Sequence, residues 1–173
     1  MGRGHPGRHD RRGEGRPGVR EPLPLRCRHV QRQHVEQRRD SDGTYIASGA
    51  QSEASGDAAV AYDAGLVSAR EATTLGVNVN FDPCVDILFN WRNTIVNTRA
   101  YGTDADTVIR YTSAYIEGLR AERDIVSCIK HFPGDGVEER DQHLVLGVNE
   151  LSRTSGTTPS VGSTARTSTT ASR

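Results

Sequence analysis

Between residues 57 and 75, apolar or small side chains recur at Ala58, Ala61, Tyr62, Gly65, Leu66, Ala69 and Ala72, a stripe with helical period that Gly76 stops. The period then changes to two, and Val77, Val79 and Phe81 alternate as a strand ending at Asp82-Pro83. A second helical stripe, Val108, Tyr111, Tyr115, Ile116 and Leu119, follows Asp104 and Asp106, either of which can cap it. Residues 125–129 read as a buried strand running into a loop that begins with Lys130-His131, and residues 44–48 as a short strand leading into a polar loop. The segment 82–103, rich in Asn, Asp and Arg, is too long for a simple connection and reads as a working loop.

Strands separated by helices imply parallel pairing through crossovers, so the fold class is α/β. Polar, glycine-rich clusters follow the strands at 77–81 and 125–129, where barrels and open parallel sheets both place their sites. The pattern alone does not separate those two architectures.

Composition divides the chain into three parts. Only 34% of the 173 residues are hydrophobic, and the formal net charge of zero is a cancellation. Residues 1–42 carry 11 Arg and 6 acids, whereas residues 43–153 carry 9 bases and 16 acids. The first segment buries too little apolar surface to offset the ordering of its backbone, and is expected to be disordered. An Arg-rich arm can neutralise phosphates, but this one has no aromatic interleaving, so a solvated arm is the favoured reading over a nucleic-acid-binding module. Among residues 154–173, 12 are Ser or Thr, again a tract without a core. Read one base out of frame, residues 154–165 of that tract back-translate to a series compatible with a more protein-like string. Both flanks are therefore expected to be disordered or out-of-frame, around a core at 43–153. No apolar run is long enough to span a membrane, and the expected location is cytoplasmic. Cys27, Cys84 and Cys128 lack metal-type spacing and are expected to be small buried thiols.

Chemistry concentrates in KHFPGDGVEERDQH, residues 130–143, which holds the chain's single Lys, two His and a run of carboxylates. Asp141 and His143, one residue apart on an extended segment, can point the same way and share a hydrogen bond. Such a pair fixes one imidazole tautomer and favours its protonated form, as a general acid/base requires. Lys130 and His131, leaving a strand end, are suited to hydrogen-bond a polyhydroxylated ligand. A metal site built from His131, His143 and an acid would use similar residues, but the Pro-Gly turn between the two His disfavours it. Asp82 and Asp86 are expected to shape their loop through backbone hydrogen bonds, Glu138 and Glu139 to form a solvated face, and Trp91 to pack or to stack on a ligand ring.

The phrases VNVNFDPCVDI (77–87), NTRAYGTD (97–104), KHFPGDG (130–136) and DQHL (141–144) resemble the N-terminal catalytic domain of glycoside hydrolase family 3, especially its bacterial β-N-acetylhexosaminidase branch. The resemblance implies a TIM-type (β/α)8 barrel, of which 43–153 would supply about three β/α units. It implies that Arg99, Lys130 and His131 hold the sugar by its hydroxyls, that His143 is the acid/base of a retaining exo-glycosidase, and that Asp141 orients it. The family's nucleophile is an Asp on a later strand, beyond Leu151, so this chain by itself is expected to be inactive. A His acid also leaves the second step open to phosphate. The partner implied is a small carbohydrate bearing β-linked N-acetylglucosamine or a similar sugar, with no cofactor, metal, nucleic acid or membrane. A β-glucosidase of the same family is the nearest alternative, which the D-x-H pair argues against.

Overall fold

The computed structural model describes residues 43–122 and 125–148. The Arg-rich arm, the Ser/Thr tail and Cys27 lie outside the described residues.

Asp57 opens the first long helix, its carboxylate accepting from Ala59 N at 2.9 Å, and the helix runs over Ala58–Thr74 (α2). Asp104 is the residue that caps the second, Ala105–Arg120 (α3), accepting from Thr107 N at 2.9 Å. Each helix buries the stripe its sequence predicts: Ala61, Ala69 and Ala72 on α2, and Val108, Tyr111, Tyr115, Ile116 and Leu119 on α3. The two pack against each other through a pair of glycines. A Cβ on Gly65 would overlap the carbonyl oxygen of Tyr115, and one on Gly118 would overlap that of Tyr62. Small residues at this crossing let the backbones approach, and Ala64, Ala69 and Ala72 join Tyr101, Tyr111, Tyr115 and Leu119 in one core.

Preceding α2 is a short helix, Gly49–Ala54 (α1), where a polar loop was expected. Its signal is a capping box: Gln51 N donates to the Ser48 hydroxyl at 3.2 Å, and Ser48 N donates to Gln51 Oε1 at 3.0 Å. Residues 44–48 are not a strand; Tyr45 is exposed and its hydroxyl donates to Gln51 Oε1 at 2.7 Å.

Val79–Asn80 (β1) and Val126–Ser127 (β2) pair in parallel, Val79 opposite Val126 and Asn80 opposite Ser127, as the α3 crossover between them requires. Both strands are shorter than their sequence patterns suggest. Pairing resumes beyond a gap, where residues 84 and 130 form an isolated parallel bridge. The expected burial of 125–129 holds for Ile125 but fails for Val126, which is 58% exposed, and for the exposed Cys128. Among the described residues, only one flank of β2 is covered, by β1. Among the described residues, no helix is long and apolar enough to cross a membrane.

Candidate functional site

The parallel bridge lays the segment after β1 against the loop after β2, and Asp86 ties them together. Val85 N donates to Lys130 O at 2.7 Å. The Asp86 carboxylate, 1% exposed as a residue, accepts Asp135 N at 2.6 Å on Oδ1, and His131 N at 3.2 Å and the Cys84 thiol at 3.1 Å on Oδ2. His131 Nδ1 lies 2.5 Å from the same Oδ2. Burial works to raise the Asp86 pKa, but the hydrogen bonds from His131, Cys84 and the Asp135 backbone outweigh it and hold the carboxyl below its usual range. A carboxylate accepts only, so Nδ1 carries the proton and a neutral His131 presents Nε2 as an acceptor. The backbone groups that Asp86 holds are thus those of the loop after β2, and not, as the sequence suggested, those of its own loop.

Asp82 behaves differently. It is buried, and desolvation pushes its carboxyl up to about 7 against the opposing charges of Lys130, Arg99 and His131. Those are the three residues that the family resemblance sets on the sugar, and they gather around one buried acid. Arg99 ends a 3-10 turn, Asn97–Arg99; its Nη1 donates to Ile95 O at 3.1 Å, while its buried Nε has no hydrogen-bond partner among the described residues. Lys130 is half-buried, and desolvation lowers its pKa against the pull of Asp82.

At the other end of the loop, Asp141 and His143 do share a hydrogen bond. Asp141 Oδ1 accepts His143 N at 2.8 Å and lies 2.7 Å from His143 Nδ1. The segment is a turn rather than the extended stretch expected, closed by Leu144 N and Val145 N donating to Asp141 O. An aspartate accepting from the backbone two residues on is what orients the ring. Those two bonds from His143 lower the Asp141 pKa. The His143 side chain is 79% exposed.

Between the two ends, a cavity of about 380 Å³ is lined by Pro133, Gly134, Asp135, Glu138, Gln142 and Leu146 among others. Glu138 is not part of a solvated face. Its side chain is only 10% exposed and accepts from Arg140 N, Arg140 Nε and Val148 N, bonds that lower its carboxyl to about 2. Glu139 does face solvent, 3.9 Å from Arg92. Trp91 is 75% exposed, with the Arg92 guanidinium 5.1 Å from its ring centroid, so it is not a packing residue. Asn93, which the sequence reading passed over, clamps the loop: 1% exposed, its Nδ2 donates to both Asp135 O and Glu138 O at 2.6 Å. Gly136 sits so close to Ile87 O that no Cβ fits. The only available signal for Asn93 was an Asn inside a loop too long to be a mere connection.

The family model described as "Glycosyl hydrolase family 3 N terminal domain" matches residues 18–155. A "Beta-N-acetylglucosaminidase/beta-glucosidase" from Cellulomonas fimi is 44% identical over 111 residues, covering 64% of this chain and 20% of that protein. Among solved structures, a "Beta-glucoside phosphorylase BglX bound to 2FGlc" superposes with a TM-score of 0.71 at 39% identity, covering 75% of this chain and 23% of that one. A family 3 β-N-acetylglucosaminidase from Paenibacillus sp. str. FPU-7 superposes at 0.69 with 28% identity, covering 74% and 24%. The chain spans about a fifth of the length of the curated relatives it matches.

Proposed function

The chain belongs to glycosyl hydrolase family 3, as a match to the N-terminal domain over residues 18–155 requires, and from that premise we propose that it carries the sugar-holding and proton-donating part of a retaining exo-β-N-acetylhexosaminidase. The observation that carries this reading is the Asp141–His143 pair, 2.7 Å apart on an exposed turn at the end of the loop that starts with Lys130 and His131. In the proposed mechanism His143, held through Nδ1, gives the proton on Nε2 to the leaving oxygen as the glycosidic bond breaks. Lys130 and Arg99 donate to sugar hydroxyls, while His131 accepts through Nε2 or, when protonated, donates. The nucleophile of such a mechanism is a carboxylate, a role assigned to none of the residues named here. The segment is about three β/α units of a (β/α)8 barrel.

A second reading, in which the sugar is glucose and the acceptor phosphate, draws on the 39% identity to the phosphorylase and on the double name of the Cellulomonas relative. A His acid, unlike a carboxylate, does not repel an anionic acceptor. Assay of residues 43–148 grafted into a full-length family 3 enzyme, on aryl β-N-acetylglucosaminides and aryl β-glucosides with and without phosphate, separates the two. Faster cleavage of the N-acetyl sugar, unaffected by phosphate, is expected. No cleavage of it would sink the proposal, and phosphate-dependent glucoside cleavage would favour the second reading.

A further inference from the structure

Cys84, Asp86 and His131 each offer a ligand atom, and all three atoms lie within 4.8 Å of one another. Their juxtaposition follows from the backbone. Positions 84 and 86 point to the same side of an extended segment, and the bridge between 84 and 130 brings His131 alongside. Sγ is 3.1 Å and Nδ1 2.5 Å from Asp86 Oδ2. Donors bound at about 2.0–2.3 Å around one ion are mutual neighbours at just this scale, so a small spreading of the three admits it.

We propose that Cys84, Asp86 and His131 form a binding site for a thiophilic divalent cation such as zinc. One soft sulfur, one imidazole nitrogen and one carboxylate oxygen form a donor set that favours zinc or cadmium over magnesium or calcium. On binding, the Cys84 S–H bond breaks, its proton leaves to solvent and a metal–sulfur bond forms. The His131 ring keeps a single proton, moved from Nδ1 to Nε2, as Nδ1 becomes the ligand. Thiolate and carboxylate together cancel the two positive charges, so a buried site ends neutral. The charge of Arg99, felt at the Cys84 thiol, works against the ion. The His131 side chain is a third exposed, which leaves an entry route and an open fourth position for water. An ion here takes the imidazole that the sugar needs and therefore inhibits; this consequence, unlike the site itself, rests on the proposed function.

The test uses the full chain at a dilution that keeps it dispersed, with Cys27 and Cys128 replaced by Ser so that Cys84 is the one thiol. Cadmium is titrated in, and the near-ultraviolet thiolate-to-cadmium charge-transfer band is read. The band should saturate at one equivalent, vanish in Cys84→Ser, and demand more than about 10-fold more cadmium in His131→Gln, because losing even an outer partner of a ligand costs about 10- to 100-fold. Circular dichroism of the variants establishes that each is folded. No band, or one of unchanged affinity in folded His131→Gln, overturns the proposal. A parallel titration with N-acetylglucosamine, followed by the His131 ring resonances, keeps the two readings apart: a cadmium band without any sugar response upholds the metal site and sinks the sugar site alone.

Discussion

Asp82 and Asp86, four positions apart on one loop, shift in opposite directions. Asp82 is raised to about 7 by burial, so its folded form holds a proton that the unfolded chain releases near the ordinary carboxylate value. The folded state binds more protons between those values, and this group's contribution to stability falls as pH rises from about 4 to 7. Asp86 is lowered, and its contribution is present above the ordinary value and lost as pH falls through the folded one. Asp82→Asn is therefore expected to raise the melting temperature at about pH 8 and to gain little at about pH 4, in paired thermal scans. An equal gain at both would mean that Asp82 is not held protonated by burial. At His143 the prediction is chemical. With the segment grafted into a full-length family 3 enzyme, His143→Ala should slow cleavage about 10²- to 10⁴-fold for poor leaving groups and much less for activated aryl ones. Asp141→Asn should give a weaker version of the same graded loss. Equal losses across leaving groups of graded acidity would remove the acid role from His143.

At the level of elements, the α2–α3 crossing depends on Gly65 and Gly118 having no side chain. Gly118→Ala places a methyl against the backbone of Tyr62, with no flexible neighbour to yield. A cost of about 1–3 kcal/mol is expected from overpacking, read from denaturant midpoints; a neutral result would mean that the helices separate freely. Asp104→Ala should cost about 1 kcal/mol through loss of the bond to Thr107 N, with no change in the sheet. Both helices were legible in the sequence, because a 3.6-residue stripe with a capping Asp is a local signal and tertiary packing reinforced it. The strands were less so. Residues 125–129 have the composition of a buried strand, yet burial depends on a neighbour, and Val126 has none on its far side among the described residues. α1 was hidden because Gly-Ala-Gln-Ser shows no apolar stripe and announces itself only through Ser48 and Gln51. The dyad was legible from its spacing, although the turn that forms it was read as extended. The convergence of Arg99, Lys130 and His131 on Asp82, and of Cys84 and His131 on Asp86, needed the parallel register that joins positions 84 and 130, which no local pattern encodes.

Across the whole molecule, apolar side chains face outward on the side where the site lies. Phe132, Leu144, Leu146 and Val148 are all more than half exposed, Leu146 at 86%, and Val126 adds to them from β2. Large apolar side chains exposed in such number are groups that folded chains usually cover, and an uncovered strand edge recruits further strands. The 173-residue chain on its own is thus expected to self-associate while keeping its α2–α3 core. Sedimentation velocity should show species larger than a monomer that grow with concentration, accompanied by binding of a hydrophobic dye. Replacing Leu144 and Leu146 with Lys removes the two most exposed of these side chains without touching a helix or a strand. That double variant should bind less dye and shift toward monomer, with its helical circular dichroism unchanged. If the unmodified chain proves instead to be a monodisperse monomer that melts in one sharp transition without binding dye, these side chains are tolerated in water and the described residues form a self-sufficient fold, contrary to their reading as about three units of a closed barrel.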